Sequence, residues 1–101
     1  MITLFQNDVV TLTFTITKDN QTVDLTGATV YFHVKQADGT LVKTITATIT
    51  NAVEGEVEVN IDTEVTNSPA VYIYEIEIDT SSGDKYTAVR DVLQIKPAVK
   101  A

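Results

Sequence analysis

One histidine, His33, and 14 aspartates and glutamates are the groups with which this chain of 101 residues could do acid–base chemistry. A catalytic histidine needs a nucleophile within hydrogen-bond reach and a third group to orient its ring. His33 lies in "YFHVK", on the polar side of an alternating stretch between Tyr31 and Lys35, and no serine motif accompanies it. The chain has no cysteine, which removes thiol nucleophiles, thiolate ligands and disulfides. The spacing predicts a surface histidine. Paired carboxylates can do acid–base work where a cleft buries them. Here Glu56 and Glu58 alternate with valines, and Glu75 and Glu77 alternate with tyrosine and isoleucine. That is the pattern of a strand with one side in water. The turn oxygens at Asp19–Asn20, Asp38–Gly39 and Ser82–Asp84 lack the dense ligand spacing of a calcium loop. The isolated glycines form neither a phosphate-binding loop nor a dinucleotide fingerprint. No catalytic residue, metal ligand or cofactor is expected, and the chain is not expected to be an enzyme.

Four residues point outward instead. Val71 and Ile73 alternate with Tyr72 and Tyr74, so both sides of "AVYIY" begin apolar. Either a loop or the N-terminal segment covers one side, or that side meets a partner subunit. Tyr72 and Tyr74 read as core. Tyr31 and Tyr86 are free to line a contact or a sugar platform. Val71, Ile73, Tyr31 and Tyr86 are therefore the candidate interface residues.

The elements that must position these groups follow from a period of two. In "VVTLTFTIT", Val10, Leu12, Phe14 and Ile16 share one face and threonines the other, the mark of a half-buried strand. "KDNQ" turns the chain. "DLTG" at 24–27 is a bend in which Asp24 and Thr26 can bond nearby backbone amides. Val30, Phe32 and Val34 then form a core face, and "ADGT" closes that strand with a hairpin turn. "LVKTITATIT" at 41–50 reads as one strand with Ile45, Ala47 and Ile49 together. Val57, Val59 and Ile61 point inward from the next strand. "TEVTNSP" reads as a loop, because Pro69 resists a central strand position. In 70–79, Tyr72, Tyr74, Ile76 and Ile78 share a face. "TSSGDK" turns again. In "YTAVRDVLQIK", Val89, Leu93 and Ile95 point inward. "MITLF" is a short edge segment. About seven strands separated by regular turns, with no helical stripe, predict an all-β fold of two packed antiparallel sheets. A barrel uses the same local signals and stays open. Residues 1–101 are expected to form a single β-sandwich domain.

Composition bounds the partners. Hydrophobic residues at 44 % and charged residues at 21 % are those of an ordinary globular domain. A net charge of −7 disfavours a nucleic-acid surface, which needs clustered lysine and arginine, and an anionic membrane surface. No apolar run approaches the ~20 residues of a membrane helix, and "MITLFQND" lacks the basic start of a secretory signal. Neither nucleic acid nor membrane is expected as a partner.

The order of these pieces is also distinctive. Asn7–Asp8 precede "LTFTI"; then come "DLTGATVYFHVKQADGTLV", "GEVEVNI", "AVYIYEIEI" and "GDKYTAVRDVLQIKP". "DLTGA" leading into an alternating strand and a DG turn is the most specific part. Together these segments, which span nearly all of the chain, resemble the N-terminal immunoglobulin-like domain of phage upper-baseplate proteins of the BppU type. The resemblance implies an immunoglobulin-like sandwich and a non-catalytic structural or assembly module of a phage tail or baseplate. It implies other tail or baseplate proteins as partners, with a homo-oligomeric ring as one arrangement. It also implies a place in the virion after synthesis in the host cytoplasm. Asn7 stands where similar chains often have glycine, and such proteins usually continue beyond the point where this chain ends. From the residues alone, an extracellular adhesive or carbohydrate-binding β-sandwich is the alternative.

Overall fold

Threonine, valine and isoleucine restrict their own backbones to extended conformations, and the chain follows them. The computed structural model describes residues 1–98, and these are all-β apart from one short helix. The strands are β1 (Ile2–Phe5), β2 (Val10–Thr15), β3 (Thr17–Lys18), β4 (Gln21–Thr22), β5 (Thr29–Lys35), β6 (Leu41–Thr46), β7 (Thr48–Asn51), β8 (Glu56–Ile61), β9 (Ala70–Asp79) and β10 (Lys85–Lys96); α1 (Thr63–Thr66) lies between β8 and β9. A five-stranded sheet has the order β1-β10-β9-β5-β6, a three-stranded sheet has β2-β8-β7, and β3 and β4 form a separate hairpin.

The inward faces are those the alternation predicts. Val30, Phe32 and Val34 of β5, Val57, Val59 and Ile61 of β8, Tyr74, Ile76 and Ile78 of β9, and Leu93 and Ile95 of β10 are buried. The two larger sheets meet through aromatic rings. Phe14 of β2 lies 5.9 Å from Phe32 and 6.0 Å from Tyr74, centroid to centroid, and Phe32 stacks on Tyr74 at 5.1 Å. Such pairs add to the area burial that drives the sheets together.

Several expectations change in detail. The fold is all-β, but the described residues form ten strands in three sheets rather than about seven in two. The sheets are not wholly antiparallel, because β1 runs parallel to β10, with Ile2 opposite Leu93 and Phe5 opposite Lys96. Residues 41–50 do not form one strand. The chain leaves the five-stranded sheet at Ala47, whose amide donates to the Val30 carbonyl at 2.8 Å, and continues as β7 of the other sheet. The alternation runs on through Ala47, which is itself buried, so the local pattern carries no sign of the crossing. The N-terminal segment changes sheets in the same way. Asn7, with φ 70°, takes the chain from β1 to β2, and its amide donates to the Thr66 carbonyl at 2.8 Å.

"TEVT" is helical rather than loop. Asp62 caps it by accepting from the Glu64 amide at 2.9 Å, as short oxygen-bearing side chains do at helix starts. Val65 and Thr66 are buried. The Thr66 hydroxyl donates to the Asp8 carbonyl at 2.8 Å, so α1 locks the corner between β1 and β2. At "DLTG", the Asp24 carboxylate accepts from the Thr26 hydroxyl at 2.6 Å and from its amide at 3.0 Å. Those two bonds, the hydroxyl first, lower the Asp24 pKa. The bend they hold drops Leu25 into the core at 1 % exposure.

Candidate docking surface

Residues paired across neighbouring strands project to the same side of a sheet, so the register defines the outward face of the five-stranded sheet. One row across it is Val92, Ile73, Lys35 and Leu41. The row beside it holds Thr3, Gln94 and Val71, and Phe5 and Lys96 lie beyond. On the other side come Arg90, Glu75, His33 and Thr44, and then Thr87, Glu77, Tyr31 and Thr46. One end of the face is therefore apolar and the middle is charged. Val71 is 59 % exposed, Leu41 55 % and Phe5 46 %; Ile73 and Val92 are half-buried.

Within the charged rows, Glu75 accepts from Lys35 at 2.5 Å and lies 3.9 Å from the Arg90 guanidinium. The Lys35 hydrogen bond holds the Glu75 carboxyl below the usual range against partial burial, and the Lys35, Arg90 and His33 charges add to the effect. His33 bonds the Thr44 hydroxyl through Nδ1 at 2.8 Å and lies 3.4 Å from Glu77 through Nε2. Its ring stacks on Tyr31 at 6.1 Å. Both ring nitrogens are thus directed at neighbouring side chains of the sheet.

The face differs in charge from the rest of the molecule. Lys35, Lys85, Arg90 and Lys96 oppose Glu75, Glu77 and Asp79 on it, which leaves it at +1 in a chain of net charge −7. The outward face of the three-stranded sheet is built from Thr11, Thr13, Thr15, Thr48, Glu56, Glu58 and Asn60. The strands β2, β7 and β8 contain no lysine or arginine. One side is thus mixed in charge and partly apolar, and the opposite side is polar and acidic.

The four candidate interface residues do not converge. Val71, Ile73 and Tyr31 lie on the outward face of the five-stranded sheet. Tyr86 pairs with Ile78, which is wholly buried, so it faces the other way. There it packs on the core, with the Lys18 ammonium 5.3 Å from its ring centroid. Val92, Leu41 and Phe5 complete the apolar end but were not among the expected residues. Val92 could have been found, since its parity opposes that of Leu93 and Ile95. Among the described residues there is no enclosed pocket and no group of three metal-ligating side chains, and no helix is long and apolar enough to cross a membrane.

The chain is an all-β module whose five-stranded sheet presents an outward face of mixed charge with an apolar end. Residues 2–90 match the family of the BppU N-terminal domain, and the chain belongs to that family. It is a non-catalytic structural module of a phage tail or baseplate, located in the virion. The fold is similar to that of the N-terminal domain of phage TP901-1 ORF48, with a TM-score of 0.69 at 9 % identity, covering 96 % of this chain and 83 % of that one. It is also similar to CopC from Methylosinus trichosporium OB3b, with a TM-score of 0.55 at 14 % identity, covering 99 % of this chain and 87 % of that one. No curated protein matches the sequence.

Proposed function

We propose that this chain works as a docking module, held to other tail or baseplate proteins through the outward face of its five-stranded sheet. In this reading the architecture is a single immunoglobulin-like sandwich whose two sheets exchange strands at both sides. The exposure of Val71 near one end of the longest antiparallel pair carries the assignment of the face. An apolar side chain 59 % exposed among Ile73, Val92 and Leu41 costs solubility unless a partner covers it. The separation of Tyr31 from Tyr86 onto opposite faces supports contact with protein over a sugar platform, which needs its aromatics on one groove.

The test is incorporation into particles. With Val71→Glu and Ile73→Glu introduced together into the phage, the altered chain is expected to fold, with a melt near the wild type, but to be missing from purified tails. Normal incorporation of the folded double variant refutes the assignment of this face.

A further inference from the structure

Among the described residues, β2 has β8 on one side and no strand on the other. We propose that this open edge accepts an extended segment of another tail protein as a further strand, one that alternates apolar residues with lysine or arginine. The inference goes beyond the docking face of the five-stranded sheet and does not depend on it.

Backbone hydrogen bonding is the first argument. In an antiparallel pair, alternate residues turn both N–H and C=O toward the partner, and the residues between them turn theirs away. β2 and β8 pair without a break from Val10 opposite Ile61 to Thr15 opposite Glu56. One step further, the Ile16 amide donates to the Gly55 carbonyl at 2.8 Å. Alternation back from Ile16 therefore turns Phe14, Leu12 and Val10 toward β8. Thr11, Thr13 and Thr15 direct their backbone groups to the empty side, at intervals of ~6.8 Å. An extended polypeptide repeats donors and acceptors at that interval.

The other edges are blunted, as exposed edges are, by bulges, charges and local bonds. In β1 the Phe5 amide is taken by the Asp8 carboxylate at 2.9 Å. The register of β6 slips opposite Val34 and Lys35, and its Lys43 is ion-paired with Glu64. β7 slips between Ile49 and Asn51. Where β1 leaves β10 uncovered, β10 slips between Thr87 and Val89 and carries Arg90 and Asp91. Only β2, with the sequence VTLTFT, has neither a slip nor a charge, glycine or proline.

The side chains specify the incoming strand. Val57, Val59 and Ile61 of β8 are fully buried, whereas Phe14, Leu12 and Val10 opposite them are half-buried. The core is thus unsealed on the side away from β8, and apolar residues at every second position of an added strand seal it. The intervening residues of that strand lie beside Thr11, Thr13 and Thr15. Glu58 and Glu56 pair with Thr13 and Thr15, two strand spacings or about 9–10 Å from the newcomer. Lysine or arginine reaches them across the small threonines, and β2, β7 and β8 supply no base of their own. Complementary charge selects such a strand. The β2 of a second copy would bring threonines and a further set of carboxylates instead.

The probe is a short blocked peptide alternating valine with lysine, added to about 1 mM, where a Kd of that size gives half saturation. Amide exchange is followed by NMR. The amides of Thr11, Thr13 and Thr15 are expected to slow at least twofold, and those of Leu12 and Phe14, already bonded to β8, to stay as they were. The same peptide N-methylated throughout, or with glutamate in place of lysine, is expected to slow none of them. Thr13→Pro removes an edge donor without breaking a bond to β8; it is expected to melt near the wild type and to lose the slowing at Thr11 and Thr15. Val71→Glu with Ile73→Glu is expected to bind the peptide as the wild type does, so failure of the docking face leaves this inference standing. No slowing with the lysine peptide, equal slowing with the methylated or acidic peptide, or undiminished slowing in a folded Thr13→Pro chain overturns it. Slowing that appears when the chain alone is concentrated assigns the edge to a second copy and also overturns it. If Thr13→Pro does not fold, the peptide comparison decides. In purified tails the three threonine amides are expected to exchange more slowly than in the free chain; equal rates there overturn the role in assembly.

Discussion

Replacing Gly55 with alanine is the sharpest test of how the β2–β4 segment is seated. Gly55 is buried with φ +71° at the turn into β8, and a Cβ added there lies 2.8 Å from the Ile16 carbonyl oxygen and 2.8 Å from the Val23 carbonyl oxygen. Both obstacles are backbone and cannot rotate aside. Both also belong to a hydrogen-bonded knot: the Ile16 amide donates to Gly55 at 2.8 Å and the Val23 amide donates to Ile16 at 3.0 Å. The left-handed backbone alone costs alanine ~1–2 kcal/mol. Displacing the segment weakens two hydrogen bonds at about 1 kcal/mol each. The sum is about 3–4 kcal/mol, a large part of the ~5–15 kcal/mol that holds a domain together. In a domain of this size it lowers Tm by roughly 12–30 °C. Gly39 provides the control, since it too has positive φ, at +91°, but an added Cβ there meets nothing within 4 Å. Gly39→Ala should lose only the ~1–2 kcal/mol backbone component. Thermal and urea melts of both variants measure the difference. Equal losses would refute the claim that Gly55 is fixed by close backbone approach.

Four further outcomes follow from the same geometry. Phe32→Ala removes the ring that stacks on Tyr74 and meets Phe14, and should cost about 3–5 kcal/mol in a urea melt. Thr66→Val deprives the Asp8 carbonyl of its hydroxyl donor inside the β1–β2 corner and should cost ~1–3 kcal/mol, with faster amide exchange in β1. Asn7→Gly relieves the positive φ at that corner and should leave stability unchanged or raise it by up to about 1 kcal/mol, read as a small rise in Tm. Because Lys35 depresses the Glu75 pKa in the folded state, that ion pair stabilises the protein above the unfolded glutamate pKa of ~4.3. The contribution is lost as pH falls below that value, so Glu75→Gln should be less stable than the wild type at pH 7, by up to about 1 kcal/mol. The gap should close on acidification; a constant gap from pH 7 to pH 3 argues against the pairing.

What the sequence reveals and conceals here has a common cause. Alternation reports which side of a strand is dry, so the inward sets Val30–Phe32–Val34 and Val57–Val59–Ile61 could be read directly. It does not report which sheet a strand belongs to, and Ile45, Ala47 and Ile49 keep their period while the chain passes between sheets. The parallel seam of β1 with β10 joins distant segments and leaves no local trace. Leu25 looks like part of a polar turn because only the Asp24–Thr26 bonds make it point inward. On the docking face, Val71 and Ile73 were legible from parity. Val92 is legible in the same way, since its parity opposes that of Leu93 and Ile95, whereas the slip between Thr87 and Val89 reverses the parity of Tyr86, and nothing in its sequence neighbourhood shows that it faces the core.

The β1–β10 seam has a mechanical meaning. Tension applied to opposite ends of the chain pulls β1 backward along its own axis and β10 forward along its own. The backbone bonds between them, from Ile2 opposite Leu93 to Phe5 opposite Lys96, then bear the load side by side and must rupture together rather than unzip one after another. Survival under force is set by the unfolding rate rather than by equilibrium stability, so this four-residue clasp can give the module a resistance to stretching out of proportion to its length.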